Sequence, residues 1–417
     1  MDQPVQRGVG NVPTLPIPRW EFIALAAALM ALNALAIDVM LPAMQQIGES
    51  LGVADENSRQ LVITAYIVGF GGGQLFFGPV SDRLGRRGPL LLGLAVYVLA
   101  ALGAAFAPSF TMLLVLRFIQ GLGAASTRVI AVSVVRDTHG GRAMAEVMSL
   151  VFMVFMVIPV IAPSIGQVII LFAEWHAIFL VIAGLALAFT IWTAMRLPET
   201  LRPENRRDFT VSAIAEGFRM VVTNRSSFCY TVATTAVFGG LFGFINSAQQ
   251  IFIGIYDTGT SFPLLFALVA GMMAISSFLN ARFVGRFGMR ALSQAALLGF
   301  LTVSTLTFVL SLFGPIPLPL FLTLFALAMF QFPWIGSNFN AMAMEHLGHV
   351  AGMASSIQGF VTTLGGGVIG ALIGQAFNGT VVPLAAGYCF AGLFALCLVL
   401  VAERGRLFAP INPPVSH

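Results

Sequence analysis

The sequence contains no lysine, and all 21 of its basic residues are arginine. Charged residues make up only 9% of the chain, whereas a soluble domain carries about 25%. The three cysteines, Cys229, Cys389 and Cys397, lie in apolar runs and provide neither a disulfide framework nor the spacing of metal ligands. This scarcity of charge, with 58% hydrophobic residues and a mean hydropathy of +0.92, indicates an integral membrane protein.

Signatures of several function classes are also missing. The sequence has no glycine-rich phosphate loop, which argues against ATP-driven chemistry. No nucleophile stands beside a base partner, which argues against an enzyme. The net charge of +4 is spread over short turns, so it does not indicate nucleic-acid binding. We therefore expect no catalytic residues, no metal, no cofactor and no nucleic-acid partner.

Apolar runs long enough to cross a bilayer recur along the chain. A crossing helix needs about 20 apolar residues, and by that measure the sequence predicts an all-α membrane protein with twelve transmembrane helices. The predicted spans are 20–41, 59–77, 89–107, 110–134, 144–171, 176–195, 226–253, 262–284, 291–313, 317–341, 352–376 and 383–402.

The arginines support this count and orient it, because arginine accumulates on the cytoplasmic side of membranes. The turns assigned to the cytoplasm are rich in arginine, whereas the opposite turns hold acids and only Arg59 at a span edge. A count of eleven or thirteen spans would mix the two sets. The pattern predicts a multi-pass protein with both termini in the cytoplasm.

The longest polar stretch, Arg196–Arg225, separates six spans from six. Apolar residues recur with helical spacing over Phe209–Val222, which predicts an amphipathic helix on the membrane surface. The predicted segments are an N-terminal tail (1–19), a first six-helix bundle (20–195), a linker (196–225), a second six-helix bundle (226–402) and a C-terminal tail (403–417).

The two halves carry a weak internal repeat. The pattern Arg-x-Gly-x-Arg occurs after the second span, over Arg83–Arg87, and again after the eighth, over Arg286–Arg290. Transporter folds built from duplicated bundles show such repeats.

Several motifs together resemble one family. Gly78–Arg87, which reads Gly-Pro-Val-Ser-Asp-Arg-Leu-Gly-Arg-Arg, resembles the signature turn of the major facilitator superfamily. Ala36–Ala43, Arg117–Ala125 and Ile158–Gly166 resemble motifs of its twelve-span drug:proton antiporters. The pattern resembles the Bcr/CflA drug-resistance subfamily over about residues 20–400, with further matches at Val134–Asp137, Glu174–Phe179, Leu197–Leu201 and His349–Ser356.

The resemblance implies a proton-coupled exporter of small amphipathic compounds, including drugs, that works by alternating access in the bacterial inner membrane. Its partners would be a small-molecule substrate, protons as the coupling ion and membrane lipids, and we expect a monomer. Two alternatives stay open at this point. One is a proton-coupled transporter of a specific metabolite, by export or symport, and the other is a membrane sensor that no longer transports.

Asp38 is the one acid that we place well inside a span. A carboxylate in hydrocarbon is costly and persists by pairing or by protonation, so Asp38 is the candidate proton carrier. The alternative is a structural acid near a helix end, four residues before Pro42. Arg117 is its candidate partner, because a buried arginine keeps its proton and needs an acceptor. The alternative for Arg117 is hydrogen bonding to backbone carbonyls.

The signature turn supplies a candidate cytoplasmic gate. We expect Asp82 to cap a helix N-terminus or to pair with an arginine, and Arg83 to meet Asp137 at the end of the fourth span. Such a cluster would hold the cytoplasmic side shut, although the arginines could serve topology alone. The gate residues are Gly78, Asp82, Arg83, Gly85, Arg86, Arg87 and Asp137.

The fifth span carries Pro159, Pro163 and Gly166, and its counterpart, the eleventh, carries glycines at four-residue spacing over Gly366–Gly374. Proline bends a membrane helix, and small residues allow close approach. We expect both helices to form sliding surfaces between the halves, and the resemblance implies that the fifth seals against proton leak.

Polar and aromatic residues within the spans are candidates to line a substrate cavity. Arg128 lies about three helical turns beyond Arg117 on much the same face, where the subfamily usually has a small residue. It could favour anionic or polar substrates or extend to the membrane surface. The cavity candidates are Tyr66, Gln74, Arg128, Asn246, Gln249, Trp334, Asn338 and Gln358.

Overall fold

The computed structural model describes residues 17–139, 141–206, 211–345, 347 and 351–408. All regular secondary structure within these ranges is helical, so the predicted all-α class is confirmed. Most of each predicted tail lies outside the described residues.

Twelve long helices form the body of the described chain, one at each predicted span. Eleven are long and apolar enough to cross a membrane, and the remaining one, α5, contains a shorter apolar segment, Val157–Phe172. The helices are α1 (Arg19–Asp38), α2 (Leu61–Leu84), α3 (Arg87–Ala105), α4 (Phe110–Thr138), α5 (Gly141–Phe172), α6 (His176–Arg196), α7 (Arg225–Gln249), α8 (Phe262–Phe287), α9 (Met289–Leu312), α10 (Leu318–Met344), α11 (Ala351–Gln375) and α12 (Val382–Ala402).

The two ends of the helix bundle differ in composition. At the arginine-rich end, Arg196 pairs with Glu21 at 2.6 Å and Arg86 pairs with Asp137 at 2.7 Å. The opposite end carries short helical turns after α1, with the acids Glu49 and Asp55 and uncharged side chains such as Asn57. The terms "arginine-rich end" and "opposite end" are used below for these two ends.

In the first half, α4 packs closely on α2 because glycines stand where the backbones meet. A Cβ atom on Gly69 would lie 2.1 Å from the carbonyl oxygen of Phe118, and one on Gly121 would lie 2.1 Å from that of Tyr66. Small residues let helices approach in lipid, where packing rather than water exclusion drives association. This contact holds Arg117 in the interior of the half.

The second half has an equivalent close pair, α7 and α11. A Cβ atom on Gly243 would lie 2.8 Å from the Ile373 side chain, and one on Gly370 would lie 2.5 Å from the Cβ of Phe242. The two halves then meet along α2 with α11 and along α5 with α8. The fold therefore consists of two six-helix bundles, as the sequence predicted.

Helices α5 and α11 both lie between the halves, α5 against α8 and α11 against α2, so their predicted place is confirmed and their sliding stays a prediction, but most of their named glycines pack elsewhere. Gly166 packs on α1 in its own half, and Gly366 and Gly370 pack on α7 in theirs. Gly374 does approach the other half, since its Cβ position lies 2.0 Å from Gln60 Oε1. Glycine is most needed where two backbones come closest, and most of these closest approaches lie within each half.

The internal repeat is visible in the backbone. Gly85 ends α2 with a φ of 98°, and Gly288 ends α8 with a φ of 81°. A side chain would strain the backbone at both values, whereas glycine adopts them readily. The two turns therefore share a conformation as well as a sequence pattern.

The linker contains a helix, Val211–Thr223, at the predicted place; Phe209, where the predicted helix starts, lies outside the described residues. The rings of Phe218 and Phe360 meet edge to face with their centroids 6.0 Å apart. The helix thus packs on α11, which gives its apolar face a protein partner in addition to the membrane surface predicted for it.

Candidate functional site

Asp38 lies at a break in α1. The α-helix ends at Asp38, and a 3₁₀ turn over Leu41–Ala43 follows after two residues. Pro42 explains the break, because proline lacks the N–H group that would continue the helix. The Asp38 side chain is only 4% exposed, and its carboxylate forms no hydrogen bond or ion pair within the described chain.

This environment restricts what the carboxylate can do. An ionised group buried without a partner costs several kcal/mol, and the negative end of the α1 dipole lies beside Asp38. The Asp38 carboxylate is therefore suited to bind and release a proton, or to pair with a cation in another conformation of the protein.

Helix α5 presses directly on the break. The Cβ position of Gly166 lies 1.8 Å from the carbonyl oxygen of Val39, the residue after Asp38. Only glycine allows this approach, because both contacting groups are backbone. Pro159 and Pro163 lie inside α5, about two turns and one turn before Gly166, respectively. The structure thus brings the predicted antiporter-motif helix to the predicted proton carrier.

Arg117 is fully buried and bonded mainly to backbone. Its Nε donates to the carbonyl oxygen of Val62 at 3.2 Å, its Nη1 to Gln120 Oε1 at 2.8 Å and its Nη2 to the carbonyl oxygen of Ala36 at 3.0 Å. The guanidinium carbon lies 4.4 Å from the centroid of the Tyr66 ring. Backbone oxygens and an aromatic face therefore stabilise this charge.

The expected ion pair between Arg117 and Asp38 is absent from the described chain, and the alternative of backbone bonding applies in this conformation. The carbonyl of Ala36 belongs to the last turn of α1, whose carbonyls lack an intrahelical donor. Arg117 caps that free end. The break that isolates Asp38 thus also creates an acceptor for Arg117, two residues away from the carboxylate.

A polar network between α1, α2 and α4 continues from this site. Tyr66 donates its hydroxyl proton to Asn33 Oδ1 at 3.2 Å, and Asn33 Nδ2 donates to Thr127 Oγ1 at 3.0 Å. Sequence reasoning missed Asn33 and Thr127. The signal was present, since Asn33 is an isolated amide in the middle of an apolar helix.

The remaining cavity candidates do not converge on one site. Tyr66 belongs to the network around Arg117, and Gln74 donates to Thr363 across the two halves at 3.0 Å. Trp334 donates to a backbone oxygen of α8 at 2.8 Å, and Asn338 donates to an α8 side chain at 2.9 Å. These last two residues join α10 to α8.

Three further candidates lie along α7 and α11. Asn246 and Gln358 are buried, and both amide atoms of each lack a hydrogen-bond partner within the described chain. Gln249 is half-buried. Unsatisfied buried amides are costly, so Asn246 and Gln358 are available to bind water or a ligand.

Arg86, rather than Arg83, forms the centre of the candidate gate cluster. Its Nε lies 2.7 Å from Asp137 Oδ2, and its Nη1 pairs with Asp82. Burial alone lowers the pKa of the Arg86 guanidinium, but the carboxylates of Asp137 and Asp82 raise it above its ordinary value. The prediction for Arg83 is wrong, because α2 continues through Leu84 and leaves Arg83 exposed.

The turn at Gly85 carries Arg86 inward, and Glu199 holds the turn in place. Glu199 accepts hydrogen bonds from the backbone N–H groups of Arg86 at 2.8 Å and Arg87 at 3.2 Å. It thereby caps the N-terminus of α3, where a carboxylate is favoured. A Cβ atom on Gly85 would lie 2.4 Å from Glu199. Gly78 lies about two turns earlier in α2, against Ser356 of the second half.

The second half carries a matching ion cluster that sequence reasoning did not assign. Arg290 pairs with Glu403 at 2.9 Å and with Glu345 at 3.4 Å. Tyr230 also donates its hydroxyl proton to Glu403. Arg290 follows the repeated turn, as Arg86 and Arg87 do, so each half has an arginine held by carboxylates at the arginine-rich end.

An uncharged network joins the halves at the opposite end. Gln250 Nε2 donates to Asn57 Oδ1 at 2.8 Å, and Gln60 donates to Gln250 and to a backbone oxygen of α11. Gln375 Nε2 donates to the backbone oxygen of Asn57 at 2.7 Å. Sequence reasoning did not assign this network, because its partners are close only in the folded chain.

Comparison with known proteins places the chain in a family. Residues 23–371 match the model of the Major Facilitator Superfamily. A bicyclomycin resistance protein homolog of Haemophilus influenzae is 33% identical over 87% of this chain and 91% of that protein. Multidrug resistance protein D of Escherichia coli is 27% identical over 84% of this chain and 88% of that protein.

Solved structures agree on the fold. A partially occluded inward-open structure of the xylose transporter XylE from Escherichia coli superposes with a TM-score of 0.69, covering 94% of this chain and 98% of that one. The sequence identity is 11%, so this likeness concerns the fold alone. From the family match, the resistance-protein relatives and this fold, we conclude that the chain is a transporter of the major facilitator superfamily, related to its Bcr/CflA drug-resistance proteins, and not an enzyme.

Proposed function

We propose that this protein exports small amphipathic compounds, including drugs, across the bacterial inner membrane in exchange for protons. The observation that carries the proposal is the Asp38 carboxylate, which is buried without a partner within the described chain. The resistance proteins among the relatives support drug export. The transporter acts as a monomer, with the proton as coupling ion and no cofactor.

Asp38 carries the proton. In this conformation an ionised carboxylate would be costly at the break of α1, so proton uptake stabilises the conformation. Release requires a state in which water or a cation reaches Asp38. Arg117 caps the neighbouring carbonyl of Ala36, so a shift of α1 would free its guanidinium to approach the carboxylate.

The contacts between the halves, α2 with α11 and α5 with α8, support alternating access. We place the arginine-rich end in the cytoplasm, because arginine accumulates on that side. The amide network of Asn57, Gln60, Gln250 and Gln375 then closes the outer end. Its bonds are neutral hydrogen bonds, each worth about 0.5–1.5 kcal/mol, so they can separate when the halves rock.

The other predicted groups take supporting roles. The candidate gate cluster around Arg86 holds α2, α3 and α4 together at the cytoplasmic end. Gly78 lets α2 approach the second half. Gly166 holds α5 against the break in α1 and seals the route past Asp38 when no substrate is bound.

The proposal is tested in inverted membrane vesicles with an imposed proton gradient and a pH-sensitive dye. A panel of drugs and metabolites is added to vesicles that contain the wild type or Asp38→Asn. We expect some compounds to dissipate the gradient with the wild type and not with Asp38→Asn. Glu49→Gln, which changes an exposed acid at the opposite end, serves as the matched control and should behave as the wild type.

Equal responses from the wild type and Asp38→Asn would refute proton exchange through Asp38. A gradient that increases because an added metabolite enters the vesicles together with protons would favour the symport alternative. A complete lack of response, with working control vesicles, would refute the export of the tested classes.

A further inference from the structure

Arg128 is a charged side chain within the fourth span that the mechanism above does not use. It lies ten residues before the end of α4 and six residues before the end of the predicted span. Six residues are about 9 Å at 1.5 Å per residue, so Arg128 lies inside the hydrocarbon core, which is roughly 30 Å thick. The side chain is exposed, whereas Thr127, its neighbour in the chain, is fully buried.

The side of α4 on which Arg128 lies indicates that it faces the interior of the protein. With 3.6 residues per turn, Arg128 shares a side of α4 with Arg117 and Ala124, and both of these are fully buried. Met112 and Val115, which are 44% and 48% exposed, lie on the opposite side of the helix. Arg128 therefore projects from the buried side of α4, where the packing opens beyond Ala124.

The guanidinium is not neutralised by the protein. Within the described chain, Arg128 forms no hydrogen bond and no ion pair. The charged side chains deep in the spans are Arg117, Arg128 and Asp38, and the helices of the second half carry charges only near their ends. Two cations and one carboxylate leave the interior with a charge of +1, or of +2 when Asp38 is protonated.

We infer that the substrates carry an oxyanion, such as a carboxylate, sulfonate or phosphonate, and that Arg128 binds it. This inference deepens the proposed function and rests on it. Arginine presents a planar fork of donors that matches such groups. A cationic compound would meet net positive charge in a medium of low dielectric constant and would be disfavoured.

The anion and the proton then occupy different sites. Arg128 is eleven residues from Arg117, about 16 Å along the helix, and Arg117 reaches the residue two before Asp38. The anion held by Arg128 is therefore bound at a different residue from the one that carries the proton. The coupling between them passes through the movement of α1 and α5.

The test uses two probes of similar size and permanent charge, 2-naphthalenesulfonate and trimethyl(2-naphthylmethyl)ammonium. Their permanent charges prevent them from carrying protons across the membrane by themselves. Each probe is assayed in two ways, by dissipation of the proton gradient in inverted vesicles and by thermal stabilisation of the purified protein in detergent. The variants are Arg128→Gln, Arg128→Lys and Arg128→Glu. The matched control is Arg136→Gln, which removes an exposed arginine of the same helix at the arginine-rich end.

We expect the wild type to respond to the sulfonate at lower concentration than to the ammonium probe. A charge-assisted hydrogen bond is worth about 1.5–3 kcal/mol, so Arg128→Gln should raise the half-maximal sulfonate concentration about 10- to 100-fold. Arg128→Lys should retain part of the response, Arg128→Glu should prefer the ammonium probe, and Arg136→Gln should match the wild type.

The two assays separate the two proposals. Sulfonate binding that depends on Arg128 without any proton exchange would support the anion site and refute the proposed function. Proton exchange that depends on Asp38 but is insensitive to Arg128 would refute the anion site alone. A wild type that prefers the ammonium probe, or that shows no preference in either assay, would also overturn this inference.

Discussion

Replacing Gly166 by alanine should disturb both the stability and the coupling of this transporter. The new Cβ would lie 1.8 Å from the carbonyl oxygen of Val39, whereas an ordinary carbon–oxygen contact is about 3.3–3.6 Å. The two backbones would have to separate by roughly 1.5 Å. Neither contacting group is a flexible side chain, so the strain falls on α5 and on the break after Asp38.

The expected loss can be bounded. Overpacking of this kind costs about 1–3 kcal/mol, and alanine recovers about 0.5–1 kcal/mol in a helix relative to glycine. The net loss is therefore up to about 2.5 kcal/mol. The matched control is Gly184→Ala in α6, where nothing lies within 4 Å of the new Cβ. That variant should be as stable as the wild type or slightly more stable.

Thermal unfolding in detergent measures the stability, and the vesicle assay measures the coupling. We expect Gly166→Ala to lower the Tm and to weaken the proton exchange that depends on Asp38, because Val39 and Asp38 move together. If Gly166→Ala matched Gly184→Ala in both assays, α5 would not support the break, and the role given to this contact would be wrong.

Three further predictions follow from the same structure. Arg86→Gln removes one partner of a buried ion pair and should lower the free energy of unfolding by about 3–5 kcal/mol. Arg83→Gln changes an exposed side chain and should alter that free energy by no more than about 0.5 kcal/mol. Equal changes in Tm for the two variants would contradict the ion pairs assigned to Arg86. Gln250→Leu removes two bonds between the halves and should speed hydrogen exchange at the opposite end only. Burial, and then nearby Arg19, lower the pKa of His139 below its ordinary 6.5. The neutral imidazole therefore contributes its full stability above pH 6.5, and this contribution is lost as the pH falls through the lowered pKa, so the Tm declines there. His139→Gln should remove this decline in Tm.

The spans and the positions of the two ionisable site residues could be predicted from the sequence. Apolar runs separated by short arginine-containing turns leave a membrane protein few alternatives, since backbone polar groups must be satisfied within helices. Asp38 was identifiable because acids are scarce in the spans. Arg117 was identifiable because arginine is also scarce within the spans, but its hydrogen-bond partners were not.

The gate cluster marks the limit of that reasoning. Arg83 and Arg86 are three residues apart, so which one meets Asp137 depends on where α2 ends. The helix continues to Leu84, and the positive φ of Gly85 then turns the chain inward. If α2 had ended one helical turn earlier, Arg83 rather than Arg86 would have met Asp137.

The sequence by itself determined the twelve helices, the repeated turn and the scarcity of charge within the spans, because hydropathy and turn composition act locally. Only the tertiary structure decided which groups are neighbours. Gly166 meets Val39, Arg290 meets Glu403, and Gln60 meets Gln250 because distant helices pack side by side, and local sequence contains no record of such contacts. The chemistry of Asp38 depends on these contacts, since the surrounding helices and not the residue itself leave its carboxylate without a partner.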